Sequence, residues 1–153
     1  MDLREGVGGS YQFYLGDHPR QVVFGSVTTV VLFSAGVFFD GLSQAIGTTG
    51  LAVVALAGFL TGLSLGRAWY EGVAVAFRAV VIGLVVSAVA VSVGLFALWL
   101  VQPEGNSVYG ALLSAVFLMV LGPLFGFVGA VGGGFGTVLR RFVVPPGTDP
   151  PTY

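Results

Sequence analysis

Four apolar segments separated by short polar or glycine-rich stretches dominate the pattern along this chain. They occupy residues 21–39, 51–69, 80–101 and 108–139. An α-helix rises about 1.5 Å per residue, so about 20 apolar residues cross the roughly 30 Å hydrocarbon core of a bilayer. The pattern therefore predicts an all-α membrane protein, a bundle of four transmembrane helices over residues 17–142.

The segments that flank this domain read differently. Residues 1–16 are mixed and turn-rich, and they predict an N-terminal cytoplasmic or interfacial segment. Asp17 and Pro19 are typical of a helix start, because an Asp side chain accepts orphan N–H groups and proline is tolerated in the first turn. Residues 143–153 contain four prolines and predict a proline-rich cytoplasmic tail.

The fourth segment is too long for one straight crossing. Its 32 residues would make a helix of about 48 Å. Pro123 lacks an N–H, and its ring clashes with the carbonyl of Met119 in a regular helix. We therefore expect a kink at Pro123.

Composition strengthens the membrane interpretation and excludes several classes of function. Hydrophobic residues make up 56% and charged residues 8% of the chain, whereas soluble domains carry about 25% charged residues. The absence of Cys and Lys excludes disulfides, thiol chemistry, a Walker lysine and a lysine Schiff base. A net charge of −1 without a basic stripe argues against nucleic acid as a partner. We expect no enzyme activity, no cofactor and no metal site.

The arginines predict the orientation in the membrane. With four spans, both termini and the 67–79 connection share one side, which holds all six arginines. The other side holds Asp40 and Glu104 and no arginine. Because arginine is retained in the cytoplasm during insertion, the sequence predicts a multi-pass protein of the cell membrane with both termini inside.

Small residues recur every four positions in two of the segments, and in the fourth segment Gly129 and Gly133 lie beside that ladder. Such stripes let helix backbones approach closely, which is how helices associate in lipid. Two interpretations stay open, packing inside one chain and assembly with a second copy or another membrane protein. The candidate packing residues are Gly58, Gly62, Gly66, Gly122, Gly126, Gly129, Gly133 and Gly134.

A group of charges is predicted at the inner membrane interface. We expect a structural cluster there, and binding of anionic lipid headgroups is the alternative. The cluster consists of Arg67, Glu71, Arg78, Arg140 and Arg141.

Hydroxyl side chains inside the segments, such as Ser26, Thr61 and Thr137, also have two interpretations. They either bond back to the preceding helical turn or line a pathway. No Asp, Glu or His falls in the middle of a predicted span, and this argues against active transport. We therefore expect a non-enzymatic structural or interaction protein that packs or assembles through glycine-rich helix faces. The alternative is a passive channel or small-solute facilitator.

Two sequence runs support a resemblance to a known group. LGPLFGFVGAVGGGFGTVLRR in the fourth segment and AGFLTGLSLGRAWYEG at the end of the second resemble small glycine-rich four-helix membrane proteins of haloarchaea, families of unknown function. The resemblance covers residues 20–142. It implies a four-helix membrane fold and no catalytic residues.

Overall fold

A computed structural model describes residues 18–40, 48–65, 69–101 and 107–143, and these residues form four α-helices. They are α1 (Pro19–Asp40), α2 (Thr48–Leu65), α3 (Trp69–Val101) and α4 (Ser107–Val143). Within these ranges there is no strand, so the predicted all-α class is confirmed. The predicted terminal segments, together with Gly66 and Arg67, lie outside the described residues.

Two of the helices are long and apolar enough to cross a membrane. They are α3 and the Met119–Val143 part of α4. Gly50–Leu65 in α2 is a shorter apolar helix. The described residues therefore form a helical bundle with two candidate membrane-spanning helices.

The boundary between the second and third helices differs from the predicted one. The second segment was expected to end at Trp69, but α2 ends at Leu65 and Trp69 begins α3. Residues 70–79, expected as a connection, are helical and give α3 a length of 33 residues. Val75, Ala76 and Ala79 are buried in this stretch, and their contacts with other helices keep it helical although Arg78 interrupts the apolar pattern.

Helix α4 continues through Pro123, which lies on the exposed side of the bundle. Pro123 has no N–H to donate to the carbonyl of Met119, and Met119 is itself exposed, so that carbonyl is left unpaired away from the packed interior. The kink at this position stays a prediction.

The contacts between helices fix their relative directions. Gly72 lies against Thr137 and Val80 against Gly129, so α3 and α4 are antiparallel. The glycine contacts given below make α2 and α4 parallel, and those of α1 make it parallel to α3. The start of α1, the end of α2, the start of α3 and the end of α4 therefore lie together at one end of the bundle, which we call the terminal end.

The interior contains few large side chains. One cluster brings together Phe33, Val54, Val80, Leu84 and Phe125, one or two residues from each helix. A second, at the terminal end, is formed by Val22, Leu65 and Val75. Helices α3 and α4 share the most extensive contact, followed by α2 and α4, whereas α1 packs mainly on α3 and α2.

Large apolar side chains lie on the outside instead. Phe127 is 65% exposed and Phe135 is 69% exposed, and Val31, Leu56 and Val89 are exposed on the other three helices. Soluble monomers rarely expose contiguous apolar surface on this scale. The outer surface of the described helices is therefore suited to an apolar environment.

Candidate packing site between the second and fourth helices

The backbones of α2 and α4 meet directly at two pairs of glycines. A Cβ on Gly58 would overlap the carbonyl oxygen of Gly129 and lie 2.7 Å from its Cα. A Cβ on Gly62 would overlap the carbonyl oxygen of Gly133 and lie 2.8 Å from its Cα. The two pairs are one helical turn apart on both helices, so only glycine permits this approach at these positions.

Two further glycines of α4 extend the same interface, and the sequence analysis did not single them out. A Cβ on Gly132 would overlap the carbonyl oxygen of Ala55, and one on Gly136 that of Phe59. The face of α4 that meets α2 is therefore built from Gly129, Gly132, Gly133 and Gly136, at spacings of three and four residues. That spacing, in addition to the strict four-residue ladder, was the available clue.

The remaining candidate glycines of α4 do not all face α2. Gly126 lies against the side chains of Phe77 and Val81, and Gly134 lies against Val73, so both face α3. A Cβ on Gly122 would have no neighbour within 4 Å. Apart from Gly66, which lies outside the described residues, and Gly122, the predicted packing glycines lie at interfaces within this one chain.

At three other helix interfaces, a threonine side chain packs directly against a glycine of the neighbouring helix. Thr61 of α2 lies over Gly25 of α1, Thr29 of α1 lies over Gly83 of α3, and Thr137 of α4 lies over Gly72 of α3. Each of these threonines is at most 1% exposed. A short branched side chain against a bare backbone brings two helices close together without leaving a cavity.

The hydroxyls of these buried residues bond to backbone carbonyls. Thr29 Oγ1 donates to Gly25 O at 2.8 Å and Thr61 Oγ1 to Ala57 O at 2.7 Å, four residues back in the same helix. This is the bonding expected for hydroxyls in an apolar helix. These groups are thus satisfied within the fold.

Two hydroxyls also reach a neighbouring helix. Ser26 Oγ lies 3.1 Å from Ala79 O of α3, and Thr137 Oγ1 lies 3.4 Å from Gly62 O of α2. Both also lie 2.8 Å from carbonyls in their own helices. A hydroxyl has only one proton to donate, so the contact with the neighbouring helix adds little stabilising energy. It does orient the two helices relative to each other.

Arg140 caps the C-terminal end of α2. Its Nη1 donates to Leu63 O and Ser64 O, both at 2.9 Å. The last carbonyls of a helix have no partner within the helix, and a cation there also interacts favourably with the helix dipole. Arg140 therefore fixes the end of α4 to the end of the parallel helix beside it.

The other described charges of the predicted cluster differ in their surroundings. Glu71 Oε2 lies 3.8 Å from Nε2 of His18, the residue just before α1, which the sequence did not predict as part of the cluster. That carboxylate oxygen is buried and has no hydrogen-bond partner among the described residues. Arg78 and Arg141 are exposed. The described part of the predicted cluster is thus a cap, a histidine–carboxylate pair and two outward-facing arginines.

The chemistry of this arrangement is that of helix packing. Among the described residues, no group of three or more His, Cys, Asp or Glu side chains could hold a metal ion. The interface of α2 and α4 offers backbone atoms and small side chains, with Arg140 at its end.

The first prediction concerns Gly62. Gly62→Ala places a methyl group against the backbone of Gly133, so the two helices must separate. We expect the free energy of unfolding in mild detergent to fall by about 1–3 kcal/mol.

Gly94→Ala is the matched control, since a Cβ at Gly94 has no neighbour within 4 Å. Alanine is the better helix former by about 1 kcal/mol, so this variant should be unchanged or more stable. Equal losses in the two variants would show that close approach of α2 and α4 is not what Gly62 provides.

The second prediction concerns Arg140. Arg140→Gln removes the donor to Leu63 O and Ser64 O, and we expect a loss of about 1 kcal/mol. Amide hydrogen exchange should become faster in the last turn of α2. Arg141→Gln removes the same charge from an exposed position and should change stability by no more than about 0.5 kcal/mol. Identical exchange profiles for the two variants would argue against the cap.

Comparison with known proteins gives no family assignment. The resemblance of the glycine-rich runs to small four-helix membrane proteins therefore stays a prediction. No protein-family model, no curated protein and no solved structure matches this chain.

Proposed function

We propose that this chain is an integral membrane protein whose four helices all span the bilayer, and that it acts as a non-enzymatic structural or interaction subunit of the membrane. The observation that carries the proposal is the distribution of side-chain size. Gly, Ala, Ser and Thr form the closest contacts between helices, while many more Phe, Leu and Val side chains are exposed on the outside than are buried inside. This distribution suits lipid, where close packing rather than apolar burial holds helices together.

Helix lengths support four spans. Helix α1 has 22 residues, about 33 Å, and α2 has 18 residues, about 27 Å. Both lengths are close to the roughly 30 Å of the hydrocarbon core. Because α1 and α2 pack along α3 and α4, a bilayer that surrounds the longer pair would surround the shorter pair as well.

The charges support a cytoplasmic terminal end. Arg20, Arg78, Arg140 and Arg141 all lie in the parts of α1, α3 and α4 nearest that end. Arginine-rich ends face the cytoplasm. The exposed Arg20, Arg78 and Arg141 are also the candidates for contact with anionic lipid headgroups in the inner leaflet.

A structural subunit accounts for the interior better than a passive channel does. The buried hydroxyls of Thr29, Thr61 and Ser87 donate to carbonyls of their own helices, so they are used within the packed interior. The glycine contacts between α2 and α4 join helices of the same chain. They favour a rigid subunit that meets its partners through its outer surface.

Topology can be tested directly, because the chain contains no cysteine. Single substitutions Asn106→Cys and Thr148→Cys place one thiol in the α3–α4 connection and one in the C-terminal tail. With a membrane-impermeant maleimide on intact cells, we expect labelling at position 106 alone. Position 148 should react only after the membrane is opened.

Other labelling patterns contradict this topology in different ways. Labelling at 148 alone would reverse the orientation, and labelling at both positions in intact cells would place them on the same side. Recovery of the chain in the soluble fraction after alkaline carbonate extraction would exclude an integral membrane protein.

The role of interaction subunit has its own test. After extraction in mild detergent, the intact assembly should have a protein mass well above that of one 15.7 kDa chain. A single chain as the only species would overturn this role. If purified protein carries small solutes across vesicle membranes faster than empty vesicles do, the channel becomes the better explanation.

A further inference from the structure

One outward stripe of large apolar side chains runs along the whole of α4. Large residues recur on it every three or four positions. Among them are Leu113, Val120, Phe127 and Phe135, each about two helical turns from the next. Tyr109 at its start is 78% exposed and Phe142 at its end is 83% exposed. No charged residue lies on α4 between these two except Arg140 and Arg141, next to Phe142.

This stripe is longer than the shorter helices of the bundle. From Tyr109 to Phe142 the helix rises about 50 Å, compared with about 33 Å for α1 and about 27 Å for α2. The contact of Gly58 with Gly129 sets a register of 71 residues (129 minus 58), which places Thr48 level with Met119. The first twelve residues of α4, 107–118, thus extend about 18 Å beyond the start of α2.

The chemistry of the stripe indicates lipid as its partner. Protein interfaces inside membranes are enriched in small residues, because these let backbones approach. The contacts described for α4's small residues Gly126, Gly129, Gly133 and Gly136 are all with other helices of this chain. The outer stripe has bulky side chains instead, which suits flexible acyl chains better than a second helix.

We propose that this stripe makes the protein select thick bilayers. With Tyr109 and Phe142 at headgroup level, the stretch from Leu113 to Val138 lies among acyl chains. Those 25 residue steps rise about 37 Å, or about 32–35 Å along the membrane normal at a tilt of 20–30°. This exceeds the average core of roughly 30 Å, so bilayers with longer acyl chains fit the hairpin of α3 and α4 better. The proposal rests on the proposed function, because it requires the chain to be integral to the membrane.

The test is thermal unfolding of the full chain in phosphatidylcholine vesicles with 14-, 18- and 20-carbon monounsaturated chains, followed by circular dichroism. We expect the melting temperature to rise by about 5 °C or more from the thinnest to the thickest bilayer. Leu113→Lys introduces a charge at the first residue of the stretch from Leu113 to Val138, so the apolar stretch begins at Val116 and is shorter by about 4.5 Å. This variant should have its highest melting temperature in a thinner bilayer than the wild type does.

Leu113→Ala is the control, because it leaves the stripe apolar at a position that is 71% exposed. It should follow the wild type across the series. Carbonate extraction of the same vesicles separates the two proposals. Failure to integrate overturns the proposed function, whereas full integration with one melting temperature in all three lipids overturns thickness selection alone. Efficient crosslinking between copies through Leu113→Cys would show that protein covers the stripe, and would also overturn it.

Discussion

The contact of bare backbones between α2 and α4 is the constraint on which the rest of the bundle depends. The backbone of α4 can approach α2 this closely only because Gly58 and Gly62 carry no side chain. This approach brings two parallel helices together, although they are not consecutive in the chain. Gly129 and Gly133 also lie against Val80 and Ala76 of α3, so this one strip of α4 contacts both of its main neighbours, α2 and α3. In an apolar environment such packing contributes much of the association energy, because apolar burial contributes little.

Close packing of the helices also determines how buried polar groups are hydrogen-bonded. Close helices leave no room for water, so a buried hydroxyl must find its acceptor within the protein. Thr29 and Thr61 do so in their own helices, and Ser26 also reaches α3. At the terminal end, Arg140 binds carbonyls that the last turn of α2 leaves open. The bonds of Ser26, Thr29 and Thr61 satisfy the hydroxyl groups of these side chains in the described interior.

Large apolar side chains and two long helices determine the properties of the outer surface. Most glycines with close contacts lie between helices, and exposed bulky residues form long apolar faces on α3 and α4. In the proposed function, such a chain acts through its outer surface. Lipid chains and other membrane proteins are the surroundings that such a surface fits. The exposed arginines Arg20, Arg78 and Arg141 give the outer surface a positive charge at the terminal end.

The sequence by itself determined the helical class, the number of helices and most of their positions, because run length and hydropathy depend on neighbours along the chain. It placed the start of α3 about ten residues too late, since Arg78 interrupts the apolar pattern while its helix continues. It identified the two glycine-rich helix faces, but it did not show which glycines are in contact with each other. The choice between Gly126 and Gly129 as a contact of α2, the joining of His18 to Glu71 and the cap made by Arg140 were decided by the tertiary structure alone. The physical reason is that the rotation of each helix about its axis is set by all of its neighbours at once, and no spacing within one helix encodes it.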